Sequence, residues 1–588
     1  MAHRRRRRPL VGRRAVRGGR RAPPLARSRS RPQIQRTRRD PARPSARDRR
    51  GLRGYPSSKL CRPARQRSGL GPRFQLDSGR FDRAAQHRAP RRPNPSGGEA
   101  SARSFRAGIR RLSRQDLAVD PAALLGQGGA NSLRGVVLDG PHLGVAGRAA
   151  LTGAKILIAT FGSLGDLHPF VALAHALARE GFAPVIATSA AYSDYILAEG
   201  LAFAPIRPDA DDLMARLGME MGEIARRMAE DDKFLFDTLI FPHLRESFDD
   251  LQEASAGAVA IVSHSLAFSA RLVAEARGLP LATVLLSPMM LYSAYDPPLG
   301  SRVPLRRAPV GSVEIAYNRF VLWSLSHAIA LWAEPLRRLR RELGLKPRYG
   351  LDLLLGVKSS DAVIGLFSPA LAPPQPDHGS RTLIAGHTFH DRYLGGAALP
   401  PNLEAFLDQG APPIVFTLGS FVARARRDFY RDCVTAARRL GRRAALLAHE
   451  DDVPALLSQQ RQDVCVAPYA PHSAVFPRAS AVVHHGGVGT TGQALRAGRP
   501  QLVAPFLGDQ FDNAERVKRL GVARVLDGKT ATPDAMVRAL EGLDEAHEIR
   551  AAQLSERIRR EDGAAVAALR IAALVAQNEL RRKEAATL

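Results

Sequence analysis

Residues 481–514 read AVVHHGGVGTTGQALRAGRPQLVAPFLGDQFDNA, with three features in register. An apolar run, Ala481 to Val483, reads as a buried strand that breaks at His484-His485-Gly486-Gly487. Gly489-Thr490-Thr491 then opens a run of helical character, Gln493 to Ala497, stopped by Gly498. A second apolar strand, Gln501 to Phe506, ends on Gly508-Asp509-Gln510. The unit is strand, glycine turn, helix, strand. Glycines let a backbone approach a ligand, and a helix start offers unpaired N–H groups and the positive end of a dipole. That suits a phosphate or diphosphate. Gly487 and Gly489 supply the turn, Thr490 and Thr491 add hydroxyl donors, and His485 can add a charge-assisted one. Asp509 and Gln510 fall at the carboxyl end of the next strand, where open α/β sheets place ligands. A carboxylate beside an amide suits the vicinal hydroxyls of a sugar. A plainer reading is a glycine-rich turn with polar ends. The His before it, the Thr pair after it and the Asp-Gln one strand later weigh against that.

On these residues the stretch resembles the donor-sugar signature of inverting GT-B-fold glycosyltransferases that use nucleotide-diphosphate sugars, the UDP-glycosyltransferase superfamily. Within it the stretch is most similar to the bacterial branch with sterol glucosyltransferases, macrolide and glycopeptide glycosyltransferases and the rhamnosyltransferases of rhamnolipid assembly. The similarity runs over roughly residues 154–575. It implies an α/β fold with two Rossmann-like, doubly wound domains facing a cleft.

The chain has 588 residues and a formal charge of +31, which on its face suggests a polyanion partner. The distribution removes that suggestion. Residues 1–150 hold 38 basic side chains, 37 of them Arg, against 8 acidic ones, and the other 438 residues are left with a net charge of +1. The globular part therefore predicts no nucleic-acid partner. Residues 1–150, rich in Arg, Pro, Gly and Ser, cannot bury enough surface to offset their ordering entropy and are expected to be disordered. An RNA- or lipid-binding arm is one role for them. A start placed too far upstream, with true initiation near Val145 to Leu151, is another account, since Met1 is the only Met before Met214. Cys61, Cys433 and Cys465 form no disulfide framework, which fits a cytoplasmic protein. No apolar run is long enough to span a bilayer, and MAHRRRRRPL lacks the apolar core of a secretory signal.

Order begins at Lys155. KILIATF (155–161) reads as a buried strand, GSLGDLHP (162–169) as a turn, and PFVALAHALAREG (169–181) as a helix with Pro at its start. PVIATS (184–189), VAIVSHS (259–265), PLATVLLS (280–287) and DAVIGLFS (361–368) continue the sheet of a first domain, residues 151–390. FVLWSLSHAIALWAEPLRRLRRELG (320–344) is one helical run: a core helix with a basic end, a greasy wall of an acceptor pocket, or a patch resting on lipid. The Pro- and Gly-rich 371–402 contains the linker. A second domain, 391–588, takes strands from PIVFTLGS (413–420), AALLAH (444–449) and DVCVAPYAP (463–471), then the opening stretch and terminal helices.

Glycosyl transfer to a hydroxyl needs a base, and Asp166 and His168 both follow the first strand. On pKa alone His168 is better matched to neutral pH. The resemblance reverses this, because the families place the base directly after the Gly, which here is Asp166. A helix-capping role for Asp166 is the plainer reading and is compatible with catalysis. The resemblance further implies that Gly419-Ser420 contacts the diphosphate together with His485, that Tyr469 stacks on the base, and that Asp509 and Gln510 hold the sugar. Plant members carry a Glu on the ribose where this chain has Gln493, which leaves a dTDP sugar as open as a UDP sugar. No His/Cys/Asp cluster has metal-ligand spacing, so neither metal nor cofactor is expected beyond the nucleotide-sugar co-substrate. The expected acceptor is a small lipophilic hydroxyl compound, with peripheral contact at the inner membrane face allowed. Two rivals remain: a nucleotide-sugar epimerase on the same plan, and a nucleic-acid- or membrane-binding protein acting through residues 1–150.

Overall fold

The computed structural model describes residues 152–587 apart from 232, 300–302, 310, 391–397, 423–426, 451 and 469. The Arg-rich segment, Tyr469 and the side chain of Ser420 lie outside the described residues.

Two parallel sheets carry the fold. The first consists of β1 (Lys155–Ala159), β2 (Ala183–Thr188), β3 (Ala202–Pro205), β4 (Ala258–His264), β5 (Leu281–Leu285), β6 (Ala362–Gly365) and β7 (Thr382–Ile384), in the order β3-β2-β1-β4-β5-β6-β7. The second consists of β8 (Ile414–Thr417), β9 (Ala444–Leu447), β10 (Val464–Ala467), β11 (Ala481–His484), β12 (Gln501–Val503) and β13 (Ala523–Val525), in the order β10-β9-β8-β11-β12-β13. Both orders are doubly wound: the chain moves outward from the first strand, then returns and continues on its other side. The switch points fall between β1 and β4 and between β8 and β11, where such sheets form a ligand crevice at the strands' carboxyl ends. Near-continuous apolar strands follow from covering both sheet faces with helices: every residue of β8, β9, β10 and β11 is buried.

Six helices matter below: α1 (Leu164–Arg179), α2 (Ser312–Trp332), α3 (Glu334–Glu342), α4 (Val488–Ala497), α5 (Gln510–Arg519) and α6 (Gly563–Thr587). Two sequence expectations are revised. The first-domain helix begins at Leu164, not at Pro169, so GSLGDLHP is its cap and opening turns. The single run expected over 320–344 is two helices, broken at Ala333 ahead of Pro335. Residues 371–402, expected to contain the linker, also contain β7, an edge strand of the first sheet within the expected first domain.

The last helix returns to the first sheet. Ala567, Ala568, Ile571 and Val575 of α6 share a buried core with Phe170, Leu173 and Leu177 of α1. The two passages between lobes meet at Glu561, whose carboxylate accepts from the Ser368 hydroxyl at 2.5 Å and the His387 N–H at 3.0 Å. A second clasp joins α5 to the loop after β5. Arg516, 1 % exposed, pairs with Asp512 at 2.7 Å and with Asp296, and Asp512 accepts the Leu299 N–H at 2.7 Å.

Candidate functional site

At the first switch point the chain leaves β1 and turns through Gly162 (φ 131°) into α1. Ser163 caps that helix, and its backbone N–H and hydroxyl both donate to Asp166 Oδ2, at 2.8 and 3.1 Å. A Cβ on Gly162 would lie 2.3 Å from that oxygen, so glycine makes room for the folded-back carboxylate. Both bonds fall on one oxygen of a half-buried side chain.

His168 is set apart. Two positions along a helix is about 200° around it, and the His168 ring lies 5.7 Å from Tyr195 and 5.6 Å from His390. The Tyr195 hydroxyl bonds His390 Nε2 at 2.9 Å, and Glu199 lies 3.6 Å from the same nitrogen. The Asp166 charge instead reaches His264, at the end of β4, and Asp509 of the second lobe. His264 Nδ1 donates to the Phe161 carbonyl at 3.1 Å, and burial lowers its pKa while Asp166 works against that.

At the second switch point β11 delivers two histidines with different tasks. His484 Nδ1 accepts the Gly486 N–H at 3.1 Å, so its proton sits on Nε2 and is donated to Gln501 Oε1 at 2.9 Å. This fixes the turn. The His485 ring lies between two glycines: a Cβ on Gly419 would come within 2.6 Å of it, and one on Gly487 within 2.4 Å. Its Nδ1 is buried without a hydrogen-bond partner. Burial, then His484 and His472, push its pKa down to about 3. His485 therefore enters as a neutral N–H donor rather than the charged one considered from sequence; an approaching anion would raise its pKa.

Gly487 is the N-cap of α4 and supplies no side-chain cap, so the first N–H groups of α4 are left for another acceptor. Thr490 is buried on its first turn, Gly489 has open space around its Cα, and Thr491 Oγ1 and Gln493 Oε1 are buried without partners. Gly419 and Ser420 lie in a helical turn, Gly419–Val422, directly after β8. Val488 packs against the core of the first lobe, so the turn faces α1 across the cleft.

Asp509 and Gln510 follow β12 and start α5. Gln510 Oε1 accepts the N–H groups of Phe506 (2.9 Å) and Leu507 (3.2 Å), which leaves its amide NH2 as the end able to meet a hydroxyl. Asp509 Oδ2 accepts from Asn513 at 3.0 Å. Burial first, and the Asp166 charge second, push the Asp509 carboxyl up to about 7.

Comparison with known proteins identifies the family. The family model described as glycosyltransferase family 28 N-terminal domain matches residues 156–295, and that described as erythromycin biosynthesis protein CIII-like, C-terminal domain, matches residues 445–573. Glycosyltransferase GtfE of Amycolatopsis orientalis is 30% identical over 430 residues, 71% of this chain and 98% of that protein. The chain belongs to this glycosyltransferase family. A sterol 3-beta-glucosyltransferase of Neosartorya fischeri is 28% identical over 446 residues, 73% of this chain, which spans only 30% of that relative's length. The crystal structure of the kitacinnamycin glycotransferase, at 23% identity, covers 72% of this chain and 99% of its own with a TM-score of 0.53, and shows the same GT-B fold.

Two features of this family member were not singled out from its sequence. The Asn513 amide donates both to the Gly486 carbonyl (2.9 Å) and to Asp509, so it ties the glycine turn to the carboxylate. Its spacing of four from Asp509 on a helix is the signal that could have found it. The Asp296–Arg516–Asp512 clasp is the other, and its Asp512–Arg516 half has the same spacing. Separately, a cavity of about 300 Å³ at the amino ends of β5 and β6 is lined by Arg271, Glu275, Arg340, Arg348 and Asp352. Arg340 and Arg348 both pair with Glu275, and Arg271 donates to the Ser265 and Leu354 carbonyls, so these charges support the fold away from the cleft.

Proposed function

We infer that this protein transfers a hexose or deoxyhexose from a nucleoside-diphosphate sugar, UDP- or dTDP-linked, to a hydroxyl of a small lipophilic acceptor, with inversion. One observation carries the reading: the facing switch points bring a helix-capped carboxylate, Asp166, within electrostatic reach of Asp509, which is tied through Asn513 to the glycine turn.

In the proposed step Asp166 accepts the acceptor's hydroxyl proton, and the oxygen attacks the anomeric carbon from the side opposite the diphosphate. The new C–O bond forms as the bond to the diphosphate oxygen breaks, and the nucleoside diphosphate leaves with the electron pair. Charge growing on the leaving group is met by the free N–H groups of α4, the Thr490 hydroxyl and His485, donors already fixed in place by the fold. Gly419, Ser420, Gly487 and Gly489 bring backbone close to the phosphates. Asp509 and the Gln510 NH2 hold sugar hydroxyls, and Gln493 and Tyr469 hold the nucleoside. The scheme needs no metal. The lipophilic acceptor is supported by the similarity to enzymes named sterol 3-beta-glucosyltransferase and vancomycin aglycone glucosyltransferase.

A thermal-shift panel of UDP-, dTDP- and GDP-sugars, followed by product analysis with sterol and glycopeptide aglycones, tests this. Stabilisation by a UDP- or dTDP-sugar and an inverted glycoside are expected. Stabilisation by none of them would end the reading.

A further inference from the structure

The helix α2 carries an apolar stripe that no other element among the described residues covers. Val313, Phe320, Trp323 and Leu331 are 79, 64, 58 and 73 % exposed, and four of the nine exposed large apolar side chains among the described residues are these. With Ala316 and His327 they recur at spacings of three and four and fall within an arc of about 80°. Phe320 and Trp323 stack at 6.0 Å, and Trp323 lies 4.2 Å from the His327 ring, which forms a continuous aromatic surface. The opposite face, with Asn318 and Leu322, is buried. Core packing therefore explains one side of this helix and leaves the other unexplained.

Charge identifies what would cover it. Residues 302–348 hold ten basic and three acidic side chains, a net charge of +7, while residues 151–588 as a whole carry +1. The rest of the globular part is therefore net negative. Arg306 and Arg307 are exposed just ahead of α2, Arg319 stands beside the stripe, and Arg338 and Arg341 are exposed on α3 behind it. Aromatic and aliphatic groups on one face, bordered by guanidinium groups, match a membrane interface: rings enter the headgroup boundary and cations meet acidic lipid. A second copy of this basic surface would be repelled. No helix among the described residues is long and apolar enough to cross a membrane, so the contact is along the surface. We propose that α2 docks flat on an anionic lipid bilayer through Val313, Phe320, Trp323 and Leu331. The proposal does not depend on which sugar or acceptor the cleft takes.

The chain supplies its own reporter. Its two tryptophans, Trp323 and Trp332, both lie in α2. Trp332 packs at 4.9 Å on Phe236 and 5.1 Å on Phe241 and donates to Asp237 at 2.9 Å, so it serves as the internal control. Full-length protein is mixed with vesicles of brominated phosphatidylcholine, with and without phosphatidylglycerol. Emission should shift to the blue and lose intensity on the acidic vesicles, and Trp323→Phe should abolish the quenching while vesicle binding persists. Phe320→Glu with Leu331→Glu should weaken the quenching-linked binding by more than about tenfold with an unchanged Tm. Protein that sediments with acidic vesicles while Trp323 stays unquenched would be held by its Arg-rich segment, and the proposal would fail. A blue shift that grows with protein concentration in the absence of lipid would show a second copy as the occupant and also overturn it.

Discussion

The two lobes share one strand order and present their switch points to each other, yet the polar groups there are arranged in opposite ways. In the first, the Asp166 carboxylate is folded back on Ser163 and held by its own helix cap. In the second, His485 Nδ1, Thr491 Oγ1 and Gln493 Oε1 are buried around a glycine turn without protein partners. Buried polar atoms are costly to leave unmatched. The difference is the one the proposed function calls for: a carboxylate already held in place on one side, and on the other polar atoms left for a bound group to pair with.

Substitutions on each side should therefore fail differently. Asp166→Asn should lower kcat by about 10²–10⁴-fold while leaving donor affinity unchanged, as measured by steady-state transfer and donor titration. Undiminished transfer would remove the base from the first lobe. His485→Ala should cost about 10²–10³-fold in kcat with weakened donor binding, because it deletes a donor from the leaving-group cradle. Gly487→Ala should approach that loss, since its methyl would displace the imidazole.

Asp509 offers a pH test. Its pKa is raised from 3.8 to about 7, so the folded chain holds this proton more tightly than the unfolded chain. Its contribution to stability is whole below 3.8 and is lost as pH rises through about 7. Asp509→Asn should thus raise Tm more at pH about 8 than at pH about 5. The kcat/KM for donor should rise through about 7 as the carboxylate forms and begins to accept sugar hydroxyls, a break that Asp509→Asn removes. The smallest effect belongs to His168→Gln. With its ring in the Tyr195 and His390 cluster, it should change kcat by less than about tenfold, and a loss as large as that of Asp166→Asn would reverse the assignment.

Legibility followed the physics of each element. Buried parallel strands are apolar along their length, so β1, β2, β4, β5, β6, β8, β9, β10, β11 and β12 were readable, and the glycine turn stood out between β11 and β12. Three edge strands were not. β3 (AFAP) and β13 (ARV) are only partly buried, and β7 is three residues inside a Pro- and Gly-rich segment. Pro169 was a misleading start signal because the Ser163–Asp166 cap opens α1 five residues earlier. The return of α6 to the first lobe was hidden, since its Ala-rich face suits either core and nothing local chooses between them. The Gln510 amide oxygen bonds its own loop, a competition that only the folded backbone reveals.

The division of labour between the lobes is tested most directly by calorimetric titration of UDP- and dTDP-sugars into wild type, Asp166→Asn and His485→Ala side by side. The account predicts that Asp166→Asn binds the preferred donor as wild type does, while His485→Ala binds it at least about tenfold more weakly. Donor binding lost in Asp166→Asn but kept in His485→Ala would contradict it.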